Sequence, residues 1–244
     1  PKDRKKIQKK EEVTITKLDK SVNSESSETT PVVSADGQTL YFARSSGSNL
    51  FDFKIYEAQL ENGVFKSPVN MGNPPNIDDQ NFIGSATSDK QSIAFSSNPS
   101  VSTGSENTKI YIARKKQGKW EIVDELDFFP GKKGWGYNIF SGEFDLETHV
   151  NMHNPFITAD GAKLFFTSNC VDGYGVNDIY MSEKGTDGKW GPAQNLGPEI
   201  NTRYMEASPF LHPDNKTLYF VSNGHPGIGK LDVYKSVLNN GKWS

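Results

Sequence analysis

Short runs of alternating apolar and polar residues recur along the whole chain, and each run follows the same kind of turn. In residues 216–222, Leu218 and Phe220 would lie on one face of a strand, and Tyr219 and Val221 on the other. Comparable runs follow turns that carry an aspartate, at positions 36, 89, 160 and 214. Self-similarity over tens of residues is the signature of a repeat architecture.

The spacing of these turns predicts the kind of repeat. The aspartates are separated by 53, 71 and 54 residues, and a unit of about 50 residues is typical of a four-stranded propeller blade. Each unit would contain a strand around a proline, a second and a third strand, and a glycine hairpin before the fourth. Those hairpin glycines are Gly63, Gly118, Gly188 and Gly241. The predicted fold class is therefore an all-β propeller with four visible blades.

A second set of positions recurs ahead of the blades: an apolar residue, an asparagine, a further polar residue, and a proline or glycine. In the first, second and fourth copies they are Leu18, Asn23, Glu28 and Pro31; Met71, Asn76, Asn81 and Gly84; and Leu196, Asn201, Glu206 and Pro209. The third copy keeps Pro155 but has lost the leucine and the asparagine. Their repetition indicates that these residues share one place in the repeat.

The two ends of the chain are in phase with each other. Residues 13–18 could supply the missing fourth strand of the last blade and so close a four-bladed ring, which would leave no exposed sheet edge. A fragment of a larger propeller would show the same phase, and both interpretations stay open. Residues 1–12 are a charged tail or linker, with a basic anchor as the alternative, and the propeller would span residues 13–244.

One interval between turns is 18 residues longer than the unit, and the excess lies within about residues 121–150. Long loops in compact domains are usually functional or disordered, and an aromatic composition argues against disorder. The insertion is either an extra hairpin that packs on its own blade or a partner-binding protrusion, because tryptophan and tyrosine dominate interface energetics. The candidate partner-binding residues are Phe129, Trp135, Tyr137 and Phe140.

The third and fourth copies resemble the TolB-type, WD-like propeller repeat. The matching residues include Pro155, Asp160, Gly161, Leu164, Phe166, Ser168, Asn169, Gly173, Gly175, Asp178, Tyr180, Trp190, Asn195, Leu196, Gly197, Ile200, Asn201 and Thr202. The resemblance covers about residues 13–244 and departs from the pattern at Val176, Asn215 and Lys230, where glycine is usual. Those differences would alter turn detail rather than the fold.

Residues 222–234, SNGHPGIGKLDVY, are particularly similar to blades in outer-membrane-protein-A-like envelope proteins of Bacteroidota, where they precede a peptidoglycan-binding module. Such proteins include components of the gliding and type IX secretion machinery. The resemblance implies a periplasmic or outer-membrane-associated protein. Its partners would be other envelope proteins, with peptidoglycan or another glycan as a further possibility.

Aspartate- and glycine-rich loops follow the second strand of the third and fourth copies. Their oxygen atoms could suit calcium, but the loops lack the spacing and the bidentate glutamate of an EF-hand. Because Asp232 repeats the position of Asp178, we expect each aspartate to hold the turn of its own blade. The candidate turn residues are Asn169, Asp172, Asp178, Asn223, His225 and Asp232.

No residue pattern indicates a cofactor, a metal or a catalytic group. His149 and His153 are four residues apart, but no third ligand pairs with them, and Cys170 has no base at a catalytic spacing. The chain contains neither a nucleophile elbow nor a phosphate-binding loop. We therefore predict no cofactor, no metal site and no catalytic residue.

Composition and charge exclude two classes of partner. The net charge of −3 creates no field that would attract nucleic acid, and no apolar run approaches the ~18 residues of a membrane span. The chain is 34% hydrophobic, so it can bury a core. The first hypothesis is a non-catalytic interaction scaffold in a bacterial envelope assembly. The alternatives are a propeller that binds glycan or peptidoglycan, and a hydrolase or lyase with a site at the mouth of the propeller channel.

Overall fold

The computed structural model describes residues 16–47, 52–98, 108–138, 143–147 and 149–244, and every regular element in those ranges is a β-strand. Seventeen strands form there. Those of the first half are β1 (Glu28–Val33), β2 (Thr39–Ser45), β3 (Phe53–Glu61), β4 (Val64–Asn70), β5 (Gln80–Ala86), β6 (Ser92–Asn98), β7 (Lys109–Lys116) and β8 (Lys119–Leu126). The others are β9 (Gly134–Asn138), β10 (Glu143–Glu147), β11 (Met152–Ile157), β12 (Lys163–Ser168), β13 (Asp178–Glu183), β14 (Gln194–Asn195), β15 (Glu206–Leu211), β16 (Thr217–Ser222) and β17 (Asp232–Val237).

The strands group into four antiparallel meanders, one for each repeat of the sequence. Blade 1 is β1–β4, blade 2 is β5–β8, blade 3 is β11–β14 and blade 4 is β15–β17; β9 and β10 form a separate hairpin. A single parallel pair, Phe53 with Gln80, links blades 1 and 2 into one sheet. The first strands β1, β5, β11 and β15 contact one another in chain order. The predicted all-β propeller is confirmed; blades 1 to 3 have the predicted four strands, and blade 4 has three in the part of the chain that the structure describes.

The repeated aspartate closes the turn between the first two strands of each blade. In blade 1, Asp36 accepts hydrogen bonds from Ser34 Oγ (2.6 Å) and the Gln38 amide (3.0 Å). The same pattern recurs at Asp89 and Asp160, where threonine replaces the serine. The ammonium of Lys90, from the equivalent turn of blade 2, together with the Ser34 hydroxyl and the Gln38 amide, holds the pKa of Asp36 well below its usual range.

The glycine hairpins follow the third strand of each blade, and three of them have the two-residue turn that is typical of β-hairpins. Asn62 and Gly63 both have positive φ, as do Gln117 and Gly118, and Asn240 and Gly241. Two consecutive residues with φ above zero define a type I′ turn, whose twist matches that of the flanking strands. The tryptophan two positions after each of the later glycines packs against the contact between blades: Trp120, Trp190 and Trp243.

Apolar side chains from neighbouring blades interlock, so the core lies between blades rather than within one. Ile55 and Tyr41 of blade 1 meet Ile93 and Phe95 of blade 2. Equivalent clusters lie between blades 2 and 3 and between blades 3 and 4. As a consequence β2, β6 and β12 are buried on both faces, whereas β16 alternates between buried and half-buried residues.

The predicted closure of a four-bladed ring by residues 13–18 is not found in the part of the chain that the structure describes. Residues 16–18 form no strand there, and no contact comparable to those between successive first strands joins β15 back to β1. The segment that precedes β1 lies instead on the outer face of blade 1, where Val22 packs against Leu40 and Phe42. The blades therefore form an open arc, consistent with part of a larger propeller.

Candidate functional site

Most of the candidate residues meet on one face of the arc. Because the strands of a blade alternate in direction, the connections that follow its second and fourth strands emerge at the same end. We call this end the loop face; it comprises residues 169–178, 196–206 and 223–232 together with the β9–β10 hairpin. Each part of it is held by hydrogen bonds that start from the repeated polar positions.

The repeated asparagine ties each connecting loop to the blade before it. Asn201 is buried; its Oδ1 accepts from the Ile179 amide (2.8 Å), and its Nδ2 donates to the Ile179 carbonyl (2.9 Å) and to Asn195 Oδ1 (2.8 Å). Asn76 forms the same set with Ile55 and Asn70. The amide thus satisfies both backbone groups of a buried residue in the third strand of the preceding blade.

The repeated glutamate anchors the other end of the same loop. Glu206 is fully buried, and its carboxylate accepts hydrogen bonds from the Thr202 amide (2.7 Å), Thr202 Oγ1 (2.8 Å) and Ser222 Oγ (2.6 Å). Asn81 takes this place in blade 2 and accepts from Ser97 Oγ (2.9 Å). Loop 196–206 is therefore fastened to blade 3 by Asn201 and to blade 4 by Glu206.

Asp178 and Asp232 hold the glycine-rich loops of their own blades. Asp178 accepts hydrogen bonds from the amides of Tyr174 and Gly175 and from Asn195 Nδ2, while burial raises the pKa of its carboxyl. Asp232 accepts from the amides of Ile228 (2.8 Å) and Gly229 (2.9 Å). Both side chains are thus engaged by backbone N–H groups at the turn.

Asn223 and His225 fasten the loop of blade 4 to the connection from blade 3. Asn223 Oδ1 accepts from the Met205 amide (2.9 Å), and His225 Nε2 lies 2.8 Å from the Ile200 carbonyl. The Tyr234 hydroxyl donates to the His225 carbonyl (3.0 Å). These contacts join residues 223–225 and 200–205 into one continuous surface.

The insertion after blade 2 is a hairpin that docks on the loop of blade 3. The Trp135 amide donates to the Asn169 carbonyl (2.8 Å), and Asn169 Nδ2 donates to the Trp135 carbonyl (2.9 Å). Lys132 and Asp172 form an exposed ion pair at 2.8 Å. Trp135 is half-buried; Tyr137 lies in β9, and Phe140 is outside the described residues. An extra hairpin is present, but its backbone is fixed to Asn169 of blade 3 rather than to blade 2, which it follows.

Phe129 lies away from the hairpin tip and packs on the core. Its ring contacts Tyr180 edge to face at 5.1 Å, and the neighbouring Phe128 stacks on Phe166 at 4.9 Å. The two phenylalanines take the place that Leu196 and Ile200 occupy in the next loop. This explains how the third copy manages without the repeated leucine.

Four exposed apolar side chains on the loop face were not among the residues predicted from the sequence. They are Tyr174, Tyr204, Ile228 and Leu231, and Ile228 is 92% exposed. Their loops touch: the Val176 amide donates to the Tyr204 carbonyl (2.8 Å), and a Cβ on Gly175 would lie 2.5 Å from the same oxygen. The signal in the sequence was a bulky apolar residue between glycines, in the runs Gly173–Gly175 and Gly227–Gly229.

The opposite face holds a cleft of about 520 Å³ between blades 2 and 3. Its walls include Asp89, Arg114, Asp124, Asp160 and Lys184. The charges are partly engaged within the protein: Lys184 lies 3.9 Å from Asp124 and 4.8 Å from the centre of the Trp190 ring. The cleft therefore carries charges of both signs, three aspartates against Arg114 and Lys184.

Neither a metal cluster nor a membrane-spanning helix is found in the described ranges. No group of three histidine, cysteine or acidic side chains comes together there, and no helix that could cross a membrane is present. Cys170 is buried, and burial raises the pKa of its thiol. His149 is exposed, and burial lowers the pKa of His153 to about 4.

The depressed pKa of His153 predicts a loss of stability in acid. Its ordinary pKa is 6.5, so between pH 6.5 and about 4 the unfolded chain binds a proton that the folded chain does not. Unfolding free energy should fall over that window by up to about 3 kcal/mol. Urea denaturation at pH 7 and pH 4.5 should show a smaller difference for His153→Gln than for the wild type. His149→Gln, at an exposed histidine, is the control and should keep the wild-type difference.

The stacked antiparallel blades define the protein as a β-propeller, and comparison with solved structures gives the same class. TolB from Acinetobacter baumannii is similar over 90% of this chain and 43% of its own, with a TM-score of 0.54 and 16% identity. An α-L-arabinofuranosidase from Lactobacillus brevis matches over 90% of this chain and 72% of its own, with a TM-score of 0.53 and 12% identity. A levansucrase from B. megaterium matches over 87% of this chain and 67% of its own, with a TM-score of 0.55 and 12% identity.

At these identities the likeness shows the fold alone, a TolB-like propeller that occurs both in enzymes and in TolB. The chain spans less than half of the TolB chain that it matches. No protein-family model matches the sequence, and no curated protein matches it significantly.

Proposed function

We propose that this propeller is a non-catalytic protein-interaction scaffold in a bacterial cell-envelope assembly. The observation that carries the proposal is the set of exposed apolar side chains on the loop face, held on loops of fixed geometry. Tyr174, Tyr204, Ile228 and Leu231 belong to three adjacent loops of blades 3 and 4. Exposed aromatic and aliphatic side chains in one area of a surface are typical of protein-binding sites.

The loops that present these side chains are already ordered. Asn201 and Glu206 fix loop 196–206 at both ends, and Asp178 and Asp232 hold the loops of Tyr174 and Ile228. A surface that is ordered before it binds loses less conformational entropy in the complex. The arrangement therefore suits a binding surface that acts by shape.

The acidic side chains of the loop face support a non-catalytic role. A general acid or base must be able to reach a proton on a substrate. Asp178, Glu206 and Asp232 instead accept hydrogen bonds from backbone amides or hydroxyls of the propeller itself. Asp178 recurs as Asp232 and Glu206 recurs as Glu28, and this repetition matches a structural role within the blade.

The location in the cell envelope rests on the resemblance of residues 155–234 to TolB-type repeats and on the likeness of the fold to TolB. We infer a periplasmic or outer-membrane-associated position and partners among other envelope proteins. An association with the gliding or type IX secretion machinery follows from the same resemblance. The docked β9–β10 hairpin, with Trp135 and the exposed Leu146, would extend the contact surface.

The scaffold function predicts that the loop face captures a specific envelope protein. In pull-downs from envelope extract of the source bacterium, Tyr174→Ser and Ile228→Ser should each reduce recovery of that protein by about tenfold or more, because interface anchors contribute ~2 kcal/mol. Val69→Ser replaces an exposed valine on the outer strand of blade 1 and should leave recovery unchanged.

Thermal melting must show that all three variants fold. Equal recovery with every variant, or recovery of no specific protein, would contradict the proposal.

Glycan binding is the second candidate, favoured by the exposed rings of Tyr174 and Tyr204 on one rigid surface. Sugar rings stack on exposed aromatic faces, and two tyrosines on adjoining loops could hold one saccharide chain. Co-sedimentation with purified peptidoglycan separates the two candidates. Binding that is lost with Tyr204→Ser, with no protein captured from the extract, would favour the glycan.

A further inference from the structure

The cleft between blades 2 and 3 lies where the neighbouring contact, between blades 1 and 2, is bridged by a lysine. Lys90 follows the turn aspartate of blade 2, and its ammonium lies 2.8 Å from Asp36 Oδ2 in the turn of blade 1. Gly161 holds the same place after the turn aspartate of blade 3. Because it has no side chain to reach back to blade 2, the corresponding space stays open as part of the cleft.

The turn backbone is alike at the two places, so a side chain at residue 161 would take a similar course. Lys90 has a φ of 56° and Gly161 a φ of 72°. A Cβ on Gly161 would lie 3.7 Å from Thr87 Cγ2, which is ordinary contact. Thr87 in turn donates a hydrogen bond to Asp89, and all three residues line the cleft. The open space therefore adjoins the carboxylate of Asp89.

The acceptor for an ammonium is retained in blade 2. Asp89 Oδ1 accepts from Thr87 Oγ1 (2.6 Å) and from the Gln91 amide (2.9 Å), and the same two kinds of bond hold Oδ1 of Asp36. In blade 1 the second oxygen, Oδ2, binds the ammonium of Lys90. In the part of the chain that the structure describes, Asp89 forms no ion pair.

A guanidinium lines the same cleft. Arg114 Nε donates to Ser92 Oγ at 3.3 Å, and Arg114 forms no ion pair within the described ranges. The Thr87 hydroxyl is the main cause of the lowered pKa of Asp89, and the charge of Arg114 contributes to it. Two opposite charges thus lie near each other without a direct bond. In blade 1 this strand position holds the neutral Gln59.

We propose that this cleft binds a small molecule that carries both a primary ammonium and a carboxylate. The ammonium binds Asp89 Oδ2 as the ammonium of Lys90 binds Asp36. The carboxylate binds the guanidinium of Arg114, whose planar fork of donors can form two parallel hydrogen bonds with it. The volume of about 520 Å³ lies within the range of small-molecule sites.

The other residues of the cleft agree with such a ligand. Ile112 and Ile157 line it and suit an unbranched alkyl chain between the two charged groups. Lys184 lies 3.9 Å from Asp124, so these two charges partly compensate each other. Asp160, also in the wall, adds to the attraction for the ammonium.

Both charged groups are needed to select this ligand. A plain amine would bring a second cation close to Arg114, and a plain carboxylate would bring a second anion close to Asp89. A molecule with both groups meets each charge with its opposite. The cleft lies on the face opposite to Tyr174 and Ile228, so the proposal is independent of the proposed function.

The probe for this site is 6-aminohexanoate, in NMR titration of the ¹⁵N-labelled chain at pH 7. We expect saturable shifts of the Gln91 amide, which bonds Asp89, and of the Gly161 amide. Hexylamine and hexanoate carry one charged group each and should bind at least about threefold more weakly, because each partly exposed charge pair contributes modestly.

Two variants test the two charges separately. Asp89→Asn keeps the Oδ1 acceptor and removes the charge, so 6-aminohexanoate should lose its advantage over hexanoate. Arg114→Gln installs the residue type of Gln59, and the advantage over hexylamine should be lost. Asp36→Asn is the matched control: that carboxylate is already bound by Lys90, and all three affinities should stay the same. Thermal melting checks that each variant folds.

A lysine at residue 161 should occupy the site from within the chain. Gly161→Lys provides an ammonium in the manner of Lys90 and should abolish binding of 6-aminohexanoate. Gly161→Asn is its control and should retain binding, since Asn215 holds this place in blade 4 with a φ of 56°. Equal affinities for the three compounds, shifts that do not saturate, or binding that survives Gly161→Lys would overturn the proposal.

Discussion

Replacing Asn201 with alanine is expected to lower the free energy of unfolding by about 2–4 kcal/mol. The side chain is 1% exposed and provides the partners for both the N–H and the C=O of Ile179, which is itself fully buried. Alanine would leave the N–H of Ile179 unpaired in a place that water reaches poorly, and its C=O would keep only the Leu196 amide, at 3.1 Å. At this chain length the loss corresponds to a fall in melting temperature of roughly 4–16 °C.

Two further variants separate the bonding of Asn201 from its place in the loop. Asn201→Asp keeps the shape but loses the Nδ2 donor to the Ile179 carbonyl, so it should be destabilising as well. Glu199→Ala changes an exposed residue of the same loop and should have an effect within about 0.5 kcal/mol. Urea denaturation of the three variants would contradict the assignment if Asn201→Ala were as mild as Glu199→Ala.

Gly84→Ala, which adds one methyl group in β5, is expected to lower the free energy of unfolding by about 3 kcal/mol or more. A Cβ at this position would lie 1.9 Å from the Pro155 carbonyl oxygen and 2.7 Å from the Pro155 ring. Both belong to the first strand of blade 3, where backbone cannot move aside without opening the contact. The hydrogen bond from the Ile157 amide to Ser85 Oγ, at 2.6 Å, crosses the same gap.

Gly229→Ala is the matched control for Gly84→Ala. Its Cβ would meet its nearest atom, Asp232 Oδ1, at 3.4 Å, which is ordinary contact. Thermal melting and soluble yield should show a large loss for Gly84→Ala and little change for Gly229→Ala. Similar melting temperatures for the two variants would mean that blades 2 and 3 do not approach as closely as the structure indicates.

The repeated positions show which residues of the loop face can be predicted from the sequence. Asn76, Asn201 and Glu206 stood out by repetition alone, and the turn aspartates were assigned to their own blades from the recurrence of Asp178 as Asp232. Their hydrogen-bond partners cannot be predicted from the sequence, because Asn201 bonds Ile179, which lies 22 positions earlier, in blade 3. Repetition identifies a residue as structurally important but does not identify the residue that it contacts.

The aromatic insertion shows the opposite situation. The sequence predicts Phe129 and Trp135 as partner-binding residues of one aromatic stretch. In the structure Phe129 packs on Tyr180, whereas Trp135 belongs to a hairpin that docks on Asn169. The sequence does not predict Tyr174, Tyr204 and Ile228 as site residues, because they lie in separate loops. They share a surface only because blades 3 and 4 bring those loops together. Exposure is a property of the folded neighbours and not of the residue type.

Local patterns in the sequence are enough to predict the class of fold, the length of the blade and the chemistry of its turns. Strand alternation, Asp-Gly turns and glycine hairpins act over a few residues, so they can be recognised without knowledge of the remainder of the chain. The folded chain adds three features: the open arc of the four blades, the strand that each asparagine bonds, and the exposure of Val233 in blade 4 where the equivalent Ile179 of blade 3 is buried. Those outcomes depend on contacts between residues of different blades, such as Asn201 and Ile179, which are 22 positions apart, and no local pattern records them.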